Sequence, residues 1–69
     1  MIKPETSPLS RRERLKRERE ERILTAAAAV FAQKGFHQAT IREIADRADV
    51  ADGTIYNYFA DKFDLLIGL

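Results

Sequence analysis

Apolar residues are sparse through the first 22 positions of the chain. From residue 23 they take up a helical rhythm: Ile23, Ala27, Val30 and Phe31 share one stripe, with Ala26 beside it. This is the three-to-four spacing of an amphipathic helix. Upstream, the tetrapeptide "SRRE" (residues 10 to 13) reads as a capping box. Ser10 accepts from the backbone of Glu13, and the Glu13 carboxylate reaches back. No glycine or proline intervenes before Gly35. The pattern therefore predicts one helix over Arg11 to Lys34, rich in strong helix formers, with Glu18 and Arg22 as a favourable i,i+4 pair. Gly35 stops it, with Lys34 in the last turn. At 1.5 Å per residue such a helix is about 36 Å long. Its first three turns carry few apolar side chains, so they project beyond the core or fray.

The rhythm resumes after a short loop. Thr40 opens a second capping box, "TIRE", with Glu43 at its third helical position. In "IREIADRA" the residues Ile41, Ile44, Ala45 and Ala48 fall at i, i+3, i+4 and i+7. Eight residues are too few for an isolated helix, so this one depends on packing. A break at Asp49-Val50-Ala51 precedes a third predicted helix, "DGTIYNYF", with Val50, Ile55 and Phe59 turned inward. Asp61 caps a fourth, "KFDLLIGL", with Asp64 in its first turn. No strand pattern or repeat appears, so the predicted class is all-α. Two short helices joined by a three-residue break, with small Ala45 where they cross, form a helix-turn-helix pattern, which a plain helical hairpin can imitate. Phe63, Leu65, Leu66, Ile67 and Leu69 make the last segment apolar on more than one face. Burying it calls for a further domain beyond residue 69. Residues 1 to 10, with Pro4 and Pro8, read as a flexible tail ahead of a helical domain over 11 to 69.

Charge alters this picture through its distribution. The 69-residue chain carries a formal net charge of +1. Residues 1 to 22 hold eight Lys or Arg against five Glu, whereas residues 23 to 69 hold four against six acids. The basic weight is densest in Arg11, Arg12, Arg14, Lys16 and Arg17. Such a run is either a solvated helix face or a phosphate-binding arm. There is no cysteine, so neither a disulfide nor a thiolate metal site can form. No apolar run approaches the roughly 20 residues of a membrane span, and the polar start is unlike a signal peptide. A cytoplasmic protein without membrane partners is expected. No nucleophile–base pair, metal-ligand cluster or phosphate-cradling glycine loop is present. No enzyme, cofactor or metal is therefore expected.

The stretch from residue 23 to 66 resembles the DNA-binding domain of TetR-family transcriptional regulators. The resemblance rests on "FAQKGF", "ATIREIA", "VADGTIYNYF" and the Asp61-Lys62 cap, in order and without gaps. It implies a three-helix reading head with the start of a fourth helix. A dimerising, effector-binding domain would lie beyond residue 69. The third helix would enter the major groove, with Asp52, Gly53, Thr54, Tyr56 and Asn57 facing the DNA and with Tyr58 and Lys62 on phosphates. Thr40 and Arg42 would add contacts from the second helix. The chemistry of these residues agrees. A tyrosine ring can pack on a core while its hydroxyl reaches a phosphate, and Gly53 leaves room for close backbone approach. Lys62 opens the fourth helix, where free N–H groups already favour an anion. Each also has a plainer role: Tyr58 as half-buried packing, Lys62 and Arg42 as solvated cations, Thr40 as a cap, His37 as a loop residue.

Three positions depart from the family pattern. Asp49 replaces the usual turn glycine and can adopt the left-handed conformation at some cost. Ala51 replaces a Ser or Thr cap. Asp52 stands where a Lys, Arg or Pro is common; it repels phosphate and could instead accept from a cytosine amino group. The implied function is sequence-specific reading of a near-palindromic duplex operator by a homodimeric, ligand-responsive repressor. The rival is a helical module whose basic front helix binds an acidic partner or a membrane surface. That rival needs an apolar stripe through residues 11 to 22, where Leu15 stands alone.

Overall fold

The computed structural model describes residues 10 to 69, all helix and loop. The expected flexible tail lies outside the described residues, apart from Ser10. Four helices follow in order: α1 (Arg11–Lys34), α2 (Ile41–Ala48), α3 (Asp52–Tyr56) and α4 (Lys62–Gly68). Helix α1 packs against α2 and α4, and α2 packs against α3.

Both expected capping boxes are present. Ser10 Oγ accepts from Glu13 N at 3.1 Å, and Glu13 Oε1 accepts from Ser10 N at 3.1 Å. Thr40 and Glu43 make the same reciprocal pair at the start of α2. These bonds satisfy donors that a helix start otherwise leaves unpaired. At α4, Asp61 Oδ1 accepts from Asp64 N at 2.8 Å, and the Asp64 carboxylate accepts from Ala60 N at 2.9 Å.

Helix α1 ends at Gly35, whose N–H donates to the Phe31 carbonyl at 2.8 Å. Gly35 has φ +85° and ψ 160°, a region open to glycine and closed to most other residues. Helix α2 ends differently. Asp49 adopts φ 62° and ψ 46°, the left-handed conformation open to an aspartate at this turn. Asp49 N donates to Asp46 O and Val50 N to Ala45 O. That pair of bonds is a Schellman closure, and Val50 completes it by packing against the core.

The core consists of Ile23, Ala26, Ala27 and Val30 of α1, Ala39 of the loop that follows, Ile44, Ala45 and Ala48 of α2, Ile55 of α3, Phe59, and Leu65 of α4. Ala45 is fully buried, as a close helix crossing requires. The predicted stripe of α1 is the buried one, with Phe31 half-buried at its end and its ring tilted against Phe36 at 5.5 Å. The first three turns of α1 remain helical and project beyond the core, giving the molecule extents of 47 × 21 × 18 Å.

One boundary differs from the prediction. Helix α3 ends at Tyr56 and not at Phe59. Tyr58 N turns back to Ile55 O at 2.9 Å, a tighter i→i−3 bond, and Phe59 N shares the same carbonyl. This tightening drops Phe59 into the core and frees Ala60 and Asp61 to start α4.

Candidate nucleic-acid interface

Helix α3 is too short to stand alone, and one residue anchors it. Ile55 is fully buried, while Asp52, Gly53, Tyr56 and Asn57 are exposed and Thr54 is half-buried. Tyr56 leaves 55% of its surface in solvent, a large area for an aromatic ring with no internal partner. Tyr58 behaves otherwise: it is half-buried against the core. The two phenols therefore differ, Tyr56 mostly exposed and Tyr58 seated against the core. Ala51 supplies no side-chain cap to α3. Asp52 sits in the first turn, where an acid suits the helix dipole.

Gly53 carries an informative detail. A Cβ added there meets nothing within 4 Å, and among the described residues positive φ belongs to Gly35 and Asp49 alone. The fold has no use for a glycine at this position. Glycine inside a helix costs about 1 kcal/mol relative to alanine. Without a Cβ, the exposed backbone at Gly53 is open to close approach.

On α2, Arg42 is exposed and Thr40 is occupied. The Thr40 hydroxyl accepts from Glu43 N at 3.1 Å and donates to Glu43 Oε1 at 3.2 Å. Glu43 in turn pairs with Lys34 at the end of α1. The Lys34 ammonium holds the Glu43 carboxyl below its usual range against the opposing effect of desolvation, with help from the Thr40 N–H. Glu43 thus ties α1 to α2 while capping α2. This tie loosens as pH falls through that lowered value, because the carboxylate is then lost.

Lys62 occupies a place that its sequence position did not indicate. Its ammonium donates to the Phe36 carbonyl at 2.7 Å and to the His37 carbonyl at 3.2 Å. It also lies 4.6 Å from the centre of the Phe36 ring. The start of α4 is therefore fastened to the α1–α2 loop through a residue expected on a phosphate. An ammonium has three donors, so one remains for an outside anion. His37 is a loop residue whose useful atom is its carbonyl. No sequence signal marks these two carbonyls, since backbone acceptors are the same at every residue.

The cations of the front half of α1 are exposed. Arg11, Arg12, Lys16 and Arg19 line a cleft shared with Leu15 and Tyr58, whereas Arg17 lies beside Glu13 and Glu20. Arg19 was absent from the expected arm. The signal that could have found it is its i, i+3, i+7 relation to Lys16 and Arg12.

Among the described residues no three His, Cys, Asp or Glu side chains gather to hold a metal ion. No described helix is long and apolar enough to cross a membrane.

Residues 23–69 match the family profile of bacterial regulatory proteins, tetR family. The chain belongs to the TetR family. The match begins at Ile23, where the core begins, and covers all four packed elements, so these residues form the family's helix-turn-helix DNA-binding domain. Among curated relatives, a fatty acid metabolism regulator protein of Bacillus subtilis is 50% identical over 54 residues, 78% of this chain and 28% of that protein. The HTH-type transcriptional repressor KstR of Mycobacterium tuberculosis is 49% identical over 51 residues, 74% of this chain and 23% of that protein. A solved structure of the fatty acid degradation regulator FadR from Bacillus halodurans superposes with a TM-score of 0.71 at 50% identity, covering 72% of this chain and 26% of the other. The chain thus spans about a quarter of the length of these TetR relatives.

Proposed function

We propose that this protein is a sequence-specific transcriptional regulator that reads duplex DNA with α3 in the major groove. The observation that carries the proposal is Gly53: a helical glycine that the fold does not need, on an exposed turn beside Tyr56 and Asn57. Thr54, Tyr56 and Asn57 read bases or position the head, and Asp52 accepts from a cytosine amino group. Tyr58 and Arg42 take phosphates, Thr40 does so by turning its hydroxyl proton from Glu43 Oε1 to a phosphate oxygen, and Lys62 does so with the donor its carbonyl partners leave free.

The whole protein acts as a homodimeric, cytoplasmic, ligand-responsive repressor, with dimer contacts and effector site in the region that the longer relatives possess beyond this length. A five-residue helix touches few base pairs, so two heads must share one face of a near-palindromic operator, about 34 Å apart or more. Pairing raises affinity through effective concentration and needs no new base contacts. Two relatives are named for fatty acid metabolism, so genes of that class are the first place to seek the operator.

The test is a footprint of the dimeric protein on genomic fragments, followed by insertion of five base pairs between the protected half-sites. The insertion turns one half-site to the opposite face and abolishes tight binding. Unchanged binding would refute the two-headed geometry, and absence of any protected site would refute DNA reading altogether.

A further inference from the structure

We propose that Asp52 is a site of spontaneous isoaspartate formation, and that this change disables the helix that reads DNA. The effect on DNA rests on the reading given above; the covalent change does not. The observation is an Asp-Gly pair on the exposed first turn of α3, with both reacting groups left free.

An aspartate isomerises when the backbone nitrogen of the next residue attacks its side-chain carboxyl carbon. Here a bond forms between Gly53 N and Asp52 Cγ, and the amide proton leaves with the carboxyl hydroxyl as water. The product is a succinimide ring, and the chain stays intact. Water then adds to one of the two ring carbonyls. Addition at Cγ restores aspartate. Addition at the main-chain carbonyl leaves Gly53 joined through the side chain of Asp52, with the former main-chain carbonyl as the free carboxylate. No oxidant, cofactor or enzyme takes part. Ring closure needs an uncrowded following residue, a free N–H and a backbone able to leave its helical angles.

The chain holds five aspartates and one asparagine, and the structure separates Asp52 from the rest. Arg47, Lys62 and Leu65 follow Asp46, Asp61 and Asp64, and β-branched Val50 follows Asp49; each puts a side chain beside the nitrogen that must attack. Val50 N also donates to Ala45 O at 3.0 Å, and Leu65 N to Asp61 O at 3.2 Å. The carboxylates of Asp61 and Asp64 are held by Asp64 N and Ala60 N. Asn57 precedes Tyr58, whose N donates to Ile55 O at 2.9 Å. Gly53 has no side chain to crowd the ring. Its N–H is second in α3, where a helix supplies no internal acceptor, and Ala51 has no side chain to cap it. Among the described residues neither Gly53 N nor the Asp52 carboxylate has a hydrogen-bond partner.

Helical angles hold a carboxyl away from the next nitrogen, so the first turn has to open. One bond closes it, from Thr54 N to Ala51 O at 2.9 Å, and the buried side chain of α3 is Ile55, beyond the reacting pair. Exposed turns held by so few contacts open at low cost. The isomer then adds one atom to the backbone between residues 52 and 53. Gly53 O, which accepts from Asn57 N at 3.2 Å, loses its register, and α3 loses its first turn. The core of α1, α2 and α4 is untouched, so the product is a folded domain without its reading helix.

The experiment incubates the protein for weeks at neutral pH and physiological temperature, beside Asp52→Glu, whose longer side chain has to close a larger ring. Purified isoaspartyl methyltransferase with a labelled methyl donor counts the isoaspartate. Peptide mapping places it, because the altered peptide elutes apart at equal mass. The parent should gain methyl-accepting sites in the peptide holding residues 52 and 53, and D52E should stay at its starting level. The fraction of parent able to bind the footprinted operator fragment should fall by the fraction converted, while the protein still melts as a folded domain. An unaltered peptide, or isoaspartate spread evenly over the five aspartates, would overturn the site whether or not the protein binds DNA. Isoaspartate at Asp52 with operator binding intact would keep the site and overturn both the disabling and the reading by α3.

Discussion

Residues 11 to 22 and 23 to 34 belong to one uninterrupted helix and do opposite things. The second half buries Ile23, Ala26, Ala27 and Val30 under the rest of the domain. The first half buries nothing and carries cations on its surface. The same backbone hydrogen bonds run through both. The difference teaches that helix formation and domain formation are separate matters here. Propensity and the Ser10 capping box suffice for the front half. The rear half is where apolar burial stabilises the fold, about 1.5 to 3 kcal/mol for each large side chain removed from water. The family match starts at Ile23, the first buried residue of the helix, so the shared domain begins where the packing begins.

The largest expected effect tests that division directly. Ile44→Ala should destabilise the domain by about 2 to 5 kcal/mol, enough to unfold most of a domain this small. Leu15→Ala should change stability by no more than about 0.5 kcal/mol. Thermal or urea denaturation followed by circular dichroism measures both. Comparable losses would erase the distinction between the two halves.

A smaller effect concerns how the packed half is fastened. Lys62→Met removes the ammonium from the carbonyls of Phe36 and His37 while keeping an apolar stem. Hydrogen bonds to a charged group contribute about 1.5 to 3 kcal/mol when well formed. Lys62 is only half-buried, so solvent screening brings the expected loss to about 1 kcal/mol. If Lys62 also grips a phosphate, the salt slope of DNA binding drops by about one in the same variant. An unchanged melting temperature with a reduced slope would reduce Lys62 to a phosphate contact alone.

The smallest effect carries opposite signs in two measurements. Gly53→Ala should stabilise the free protein by up to about 1 kcal/mol, because the added methyl meets no neighbour and alanine favours the helix. Binding to operator DNA should weaken in the same variant, because the methyl enters the space the duplex needs. Equal or tighter binding would remove the reason given for a glycine in the reading helix.

The sequence by itself determined the helices, their caps and the order of the core. Ser10, Thr40 and Asp61 announce three helix starts through side chains that bond within four residues, and Gly35 announces a stop. Such signals are local, so no tertiary context is needed to read them. The buried stripes of α1 and α2 were equally plain, because helical periodicity is set by backbone geometry alone. The motif around "DGTIYNY" placed α3, although its pattern runs on to Phe59 where the helix stops at Tyr56. Where α3 ends depends on how far Phe59 must drop to meet a core assembled from distant residues.

Only the tertiary structure decided what faces what across the chain. Lys62 reads as a free cation at a helix start until the fold sets the Phe36 and His37 carbonyls beneath it, 25 and 26 residues away in sequence. Tyr58 and Arg19 have no relation in the sequence, and the fold makes them two walls of one cleft. Ile67, 66% exposed, and Phe63, 59% exposed, show the same principle in reverse. Their hydrophobicity states that they favour burial, but only packing decides which residues of α4 obtain it. Leu65 does, because α4 lies on α1 with that side inward. Periodicity records which residues favour the same environment; the long-range contacts that supply it arise from chain closure, which no local pattern encodes.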